Sequence, residues 1–232
     1  MRTTLLQRMV SEFIGTLFLL AAVVGSGIMG ERRAAGNTAI ALLANSIATG
    51  AALVALILAL LPVSGAHFNP AVTLAEALRG GIQWREVPPY IAMQLCGAFA
   101  GVTVAHLMFG EPLFFISTHA RSGSAQIFGE FVATFGLIAA IFGCNGNNSR
   151  FIPFAVGSYI TAAYWFTSST SFANPAVTLA RACTNTFSGI RPEDVPGFIL
   201  AEILGAVAAA WLFHWLLPGR RIPSAEIQEE IV

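Results

Sequence analysis

The chain has 232 residues, 56% of them hydrophobic and only 10% charged, with twelve basic residues balancing twelve acidic ones. A soluble domain carries about 25% charged residues, so this composition, with a mean hydropathy of +0.71, points into a membrane. The twelve bases are all Arg, and their even balance with the acids leaves no basic patch for nucleic acid.

Six apolar stretches are long enough, at roughly 20 residues each, to cross a hydrocarbon core. They lie near 8–30, 38–61, 87–109, 126–144, 151–168 and 195–217. The first follows Arg2 and Arg8; it is too long for the core of a signal peptide and lacks a clear cleavage site, so it is predicted to be retained. Near its start stands Glu12-Phe13-Ile14-Gly15-Thr16. Between spans two and three, after His67-Phe68, comes Asn69-Pro70-Ala71-Val72-Thr73-Leu74-Ala75. Asn is a good helix N-cap and Pro suits the first helical position, where its missing N–H is not needed. The motif therefore opens a helix, and the roughly ten residues that follow are too few to span. Span three carries Gln94-Leu95-Cys96-Gly97-Ala98, and span four carries Glu130-Phe131-Val132-Ala133-Thr134, an echo of the stretch at Glu12. Between spans five and six the seven-residue motif returns unchanged as Asn174-Pro175-Ala176-Val177-Thr178-Leu179-Ala180, 105 positions on. Span six carries Glu202-Ile203-Leu204-Gly205-Ala206, which echoes span three.

The chain is thus a duplication, predicted as a single transmembrane channel domain over 1–232. Repeat one covers about 8–110 and repeat two about 126–217, with a polar cytoplasmic tail at 218–232. Three spans per half is odd, so the halves have opposite topology, and the two short helices enter from opposite faces to meet in the middle. The predicted fold is an all-α membrane protein of six transmembrane helices and two half-helices in an inverted repeat. Paired interrupted helices of this kind point to a site near the bilayer midplane. With the N-terminus inside, seven Arg are cytoplasmic and five external, a modest bias in the expected direction. Short tails and the all-Arg basic set suit a bacterial inner membrane.

No nucleophile, phosphate or metal motif appears, which argues against an enzyme. Cys96, Cys144 and Cys183 have neither metal nor redox spacing, and no cofactor is expected. A proton-coupled secondary transporter also uses inverted repeats and broken helices. Against that alternative, no acid or His falls among the predicted pore residues; His67 is the nearest candidate.

Two Asn-Pro-Ala copies in inverted halves resemble the aquaporin or major intrinsic protein family, over about residues 8 to 217. The resemblance implies four subunits per assembly, a homotetramer, with a separate pore in each for water and small neutral solutes. Asn69, Pro70, Ala71, Asn174, Pro175 and Ala176 would then line or frame the pore. Glu12 and Glu130, costly inside apolar spans unless paired, would accept hydrogen bonds from the backbone leading into the half-helices. Gln94 and Glu202 would bond between helices. Water and glycerol channels usually carry Arg directly after the second motif, and glycerol channels follow it with Asp; here these are Val177 and Thr178. The family's spacing puts Thr49, Ala162 and Ser171 beside Val177 as the selectivity filter. None is aromatic or charged, which predicts a wide, uncharged constriction. That pattern resembles the aquaglyceroporins associated with bacterial arsenic resistance. The expected function is a passive channel for metalloid hydroxides such as arsenite, together with glycerol-like solutes and water. A glycerol or urea facilitator, or a water channel without a metalloid role, remains the alternative. Arg181 and its counterpart Glu76, each seven residues past the motif Asn, are vestibule candidates. Arg181 either supplies a relocated positive charge or faces loops and headgroups.

Overall fold

The computed structural model of the protein describes residues 3–144 and 149–217, and all regular structure among them is helical. The predicted tail at 218–232 lies outside the described residues. Helix α1 spans Leu5–Arg33 and begins at a capping box, in which Thr4 accepts from the Gln7 N–H and the Gln7 side chain returns to the Thr4 N–H. That reciprocal cap satisfies two otherwise orphaned donors and starts the helix ahead of the apolar run. Helix α2 (Thr38–Ser64) is capped by Asn37 and closed by Gly65 in the left-handed conformation. The first half-helix α3 (Pro70–Leu78) follows, then α4 (Val87–Phe109) after a short 3-10 turn. The second half repeats the order with α5 (Ser124–Cys144), α6 (Ile152–Phe166), the half-helix α7 (Pro175–Arg181) and α8 (Val195–Leu216).

Five of the long helices are long and apolar enough to cross a membrane. The expected fifth span, placed at 151–168, is shorter than predicted: α6 has only 15 residues, preceded by a 3-10 turn at Ser149–Phe151. Thr167 leaves the helix in an extended conformation because the chain must turn back toward the centre to reach Asn174. The polar run Thr167-Ser168-Ser169-Thr170-Ser171 accompanies that exit.

The packing is two-fold in pattern. Helix α1 lies against α2 and α4, α5 lies against α6 and α8, and α2 meets α6 across the halves. Each half-helix rests on the last helix of the other repeat, α3 on α8 and α7 on α4. The close α1–α4 and α5–α8 crossings depend on repeat-equivalent glycines. A Cβ on Gly97 would run into the Phe13 carbonyl, and one on Gly205 would meet the Phe131 carbonyl. Polarity is inverted relative to a soluble protein. Trp211 and Trp215 are 80% and 73% exposed, whereas Glu12, Gln94, Glu130 and Glu202 are fully buried. Such an exterior suits lipid, and the polar groups inside must be satisfied by one another.

Candidate functional site

The two half-helices meet end to end, and their asparagines tie them together. Asn69 Oδ1 accepts from the Ala71 N–H at 2.8 Å, while its amide donates to the Ala173 carbonyl at 2.7 Å. Asn174 does the reciprocal: Oδ1 accepts from the Ala176 and Val177 N–H groups, and its amide donates to the Phe68 carbonyl at 2.8 Å. Each Asn therefore caps its own helix and straps the residue preceding the other. Pro70 and Pro175 occupy first-turn positions, where no N–H is missed. Ala71 and Ala176 are completely buried.

The loops into these helices are strained in the same way. Ala66 and Phe68 precede Asn69 with positive φ, and Ser171 and Ala173 precede Asn174 with positive φ. Such angles cost energy in a residue with a Cβ and persist only when neighbours over-determine them. A buried acid does so in each half. Glu12 accepts from the His67 and Phe68 N–H groups at 3.0 and 2.7 Å, and also from Ser64 Oγ and Gln94 Nε2. Glu130 accepts from the Phe172 and Ala173 N–H groups at 2.9 and 2.7 Å. Behind them, Gln94 donates to Thr73 Oγ1, and Glu202 accepts from Thr178 Oγ1 and the Asn174 N–H.

A cavity of about 760 Å³ runs along this junction, lined among others by Thr49, Asn69, Val72, Glu76, Tyr164, Ser171, Asn174, Val177 and Arg181. Thr49, Ser171 and Val177 line the same cavity. Ala162 does not join them. It is exposed on α6, whose cavity-lining residues are Ile152, Val156, Ile160 and Tyr164, the last with its hydroxyl 3.3 Å from Thr49 Oγ1. Two residues along a helix turn the side chain by about 200°, so a spacing counted two positions short selects the opposite face. The expectation of four small, uncharged residues is corrected accordingly, since Tyr164, Phe172 and Arg181 also line the cavity.

Arg181 is buried against the loops that flank α7 and also lines the cavity. It is 2% exposed, and its guanidinium carbon sits 3.4 Å from the centre of the Phe172 ring. Its Nε donates to the Ser188 carbonyl. It is also the residue common to the cavity and to a smaller adjoining chamber of about 300 Å³, lined by Glu31, Asn45, His119, Arg121 and Thr170 among others. The Arg121 guanidinium carbon also lies near Phe172, 5.0 Å from the ring centre, and its Nε donates to the Gly189 carbonyl at 2.8 Å. Tyr164, Phe172 and Arg121 escape a reading of motifs. Only Arg121 leaves a trace in the sequence, as a lone cation between spans three and four. At the other end, Glu76 faces the cavity near Gly81 and Gln83, beside an Arg8–Glu86 ion pair with both contacts within 3.0 Å. Among the described residues no group of three or more His, Cys, Asp or Glu is placed to hold a metal.

This arrangement provides a polar passage between two opposed helix N-termini, with donors from Asn, Tyr, Ser and Arg side chains and no reacting group. Comparison with known proteins agrees with it. The model of the major intrinsic protein family matches residues 1–171. The chain is 56% identical to the aquaglyceroporin AqpS of Rhizobium meliloti (strain 1021) over 219 residues, 94% of each chain. It is 32% identical to the aquaporin NIP1-3 of Oryza sativa subsp. japonica, over 90% of this chain and 73% of that one. In fold it is similar to the X-ray structure of the aquaglyceroporin from Plasmodium falciparum, with a TM-score of 0.75 at 20% identity, covering 90% of this chain and 96% of the other. The chain belongs to the major intrinsic protein family and is a multi-pass membrane channel for small solutes, not an enzyme.

Proposed function

We propose that the passage conducts small neutral polyhydroxy solutes, metalloid hydroxides such as arsenous acid among them, together with glycerol-like molecules and water. One observation carries this reading: a single cavity is lined continuously from Glu76 through Asn69 and Asn174 to Arg181. Its middle, at Val177 and Val72, is apolar and uncharged, and Ser171 Oγ has no hydrogen-bond partner among the described residues. A neutral solute bearing hydroxyls can exchange water for such groups, whereas a cation is opposed by the half-helix ends. Each carries roughly half a positive elementary charge. Passive selection by lining donors and dipoles follows. The likeness to a relative named aquaglyceroporin supports the breadth of the solute class. The unit is taken to assemble as a homotetramer with one pore per subunit, as the resemblance implies.

The test is a proteoliposome panel of water, glycerol, urea and arsenite. Downhill flux of glycerol and arsenite above protein-free vesicles is expected. Flux of glycerol or urea without arsenite removes the metalloid reading. Uphill accumulation that collapses with an uncoupler replaces the channel with a coupled transporter.

Arg181 is expected to set charge preference at the outer end. A cation in a low-dielectric funnel focuses field and raises local counter-ion concentration. Arg181→Ala should therefore weaken access of anionic probes more than glycerol flux at low salt. The gap should close as the Debye length falls to about 8 Å at physiological ionic strength. Ion-selective uptake measured across a salt series checks it, and an unchanged preference at low salt removes Arg181 from the path.

A further inference from the structure

We infer that Glu76 forms a solute-binding subsite in the cytoplasmic half of the cavity, an acceptor for the hydroxyl protons of passing solutes. This rests on the reading of the cavity as the solute path.

Glu76 is placed against every structural preference. It is only 8% exposed, yet among the described residues no hydrogen bond or ion pair satisfies its carboxylate. The neighbouring acids differ in this respect: Glu12 accepts four hydrogen bonds and Glu86 holds Arg8. Glu76 also stands in the last turn of α3, where the negative end of the helix dipole disfavours an anion. Arg79, next along, lies over the Phe142 ring at 4.4 Å and attracts Glu76 through space without forming an ion pair with it. An ionisable side chain kept inside a membrane protein, here with no hydrogen-bond partner among the described residues, marks a ligand path.

Its surroundings keep the carboxylate open to the cavity, which it lines together with Gly80, Gly81, Ile82 and Gln83. A Cβ on Gly81 would collide with Glu76 Oε2, so the glycine provides the space the carboxylate occupies. The symmetry of the fold adds a second argument. Glu76 and Arg181 each stand seven residues past a motif Asn, about 10 Å along opposed half-helices, and both line the same cavity. Arg has donors only and an ionised carboxyl has acceptors only. The passage therefore offers donors at its outer end, amide groups at its centre and an acceptor at its inner end. A polyol or a metalloid hydroxide, whose hydroxyls both donate and accept, is matched along the whole length. A solute that only accepts is matched as far as the centre and gains nothing from Glu76.

The experiment compares glycerol with trimethylamine N-oxide, a small acceptor-only solute, in proteoliposomes at alkaline pH with flux normalised to inserted channels. Glu76→Leu should lower glycerol flux about tenfold, since a hydrogen bond to a charged group is lost along the path. Glu76→Gln, which keeps a weaker acceptor of the same shape, should lower it about threefold. Trimethylamine N-oxide flux should hold or rise in both. Unchanged glycerol flux in both variants, or equal loss of the two solutes, overturns the subsite. If Glu76→Leu does not reach the membrane, Glu76→Gln alone decides by the same criterion. Parent vesicles that pass no glycerol above protein-free vesicles would instead overturn the channel reading on which the subsite stands.

Discussion

Val177→Arg is expected to close the passage to glycerol-sized solutes and metalloid hydroxides while sparing more of the water flux. Val177 is 4% exposed and lines the cavity one helical turn inside Arg181. An Arg there fills space with a long side chain and adds a second cation on the same face of α7. Side chains four apart on a helix are neighbours, and like charges at that spacing oppose each other. A rise of ~1.4 kcal/mol in the barrier suffices for a tenfold fall in flux, and steric narrowing adds to it for the larger solutes. Stopped-flow swelling of proteoliposomes with glycerol, and uptake of arsenite, read the change. The double variant Val177→Arg with Arg181→Ala should recover part of the lost flux by removing the opposing charge. Equal loss of every solute, water included, in a protein that inserts normally would contradict a size-and-charge constriction at this position. No change in any solute would take Val177 out of the constriction.

The fold is legible in the sequence because two independent signals agree. Apolar runs set the long helices to within a few residues, and a duplicated Asn-Pro step can only be a helix start, since Asn caps and Pro cannot sit deeper. The buried acids are legible as well: an acid in an apolar span needs a donor, and Glu12 and Glu130 find it in the backbone before each Asn. What is not legible is the local geometry between α6 and α7. Thr170, Ser171 and Ala173 take positive φ without being Gly, and no composition signal marks a conformation imposed by Glu130. That irregular segment ends α6 early, and near its end Tyr164 rather than Ala162 lines the cavity. The Arg121–Phe172–Arg181 stack escapes for another reason. Its members come from a loop, a strained turn and a half-helix, so only tertiary structure makes them neighbours.

Replacing either buried acid by its amide should cost the protein stability, and the two positions should differ in a defined order. Glu130 receives two backbone N–H groups, one on each oxygen. In Glu130→Gln one oxygen becomes an NH2 that confronts an N–H, and a buried group left unsatisfied costs about 1–3 kcal/mol. Part of that cost is offset, because Glu202 adjoins Glu130 and its Oε2 takes no donor from elsewhere among the described residues, so it can accept from the new amide. Glu12 gains comparable relief only if the Gln94 amide flips to present its unpartnered Oε1, which breaks the Gln94–Thr73 bond. Its two oxygens take four donors, from Ser64, His67, Phe68 and Gln94, and Glu12→Gln sets an NH2 against two of them. The unfolding midpoint in detergent should therefore fall in both variants, by roughly 5 °C or more, and further for Glu12→Gln. Both losses act through the strained loops before the asparagines, so the protein that does fold should conduct with altered solute ratios. Neither variant should change any response to a pH gradient, because these carboxylates bind backbone rather than carry protons through the passage. A parent whose flux follows the pH gradient, and loses that dependence in Glu130→Gln, would show instead that the acid takes part in proton coupling. An order reversed between the two variants would show that the number of donors held is not what sets the cost.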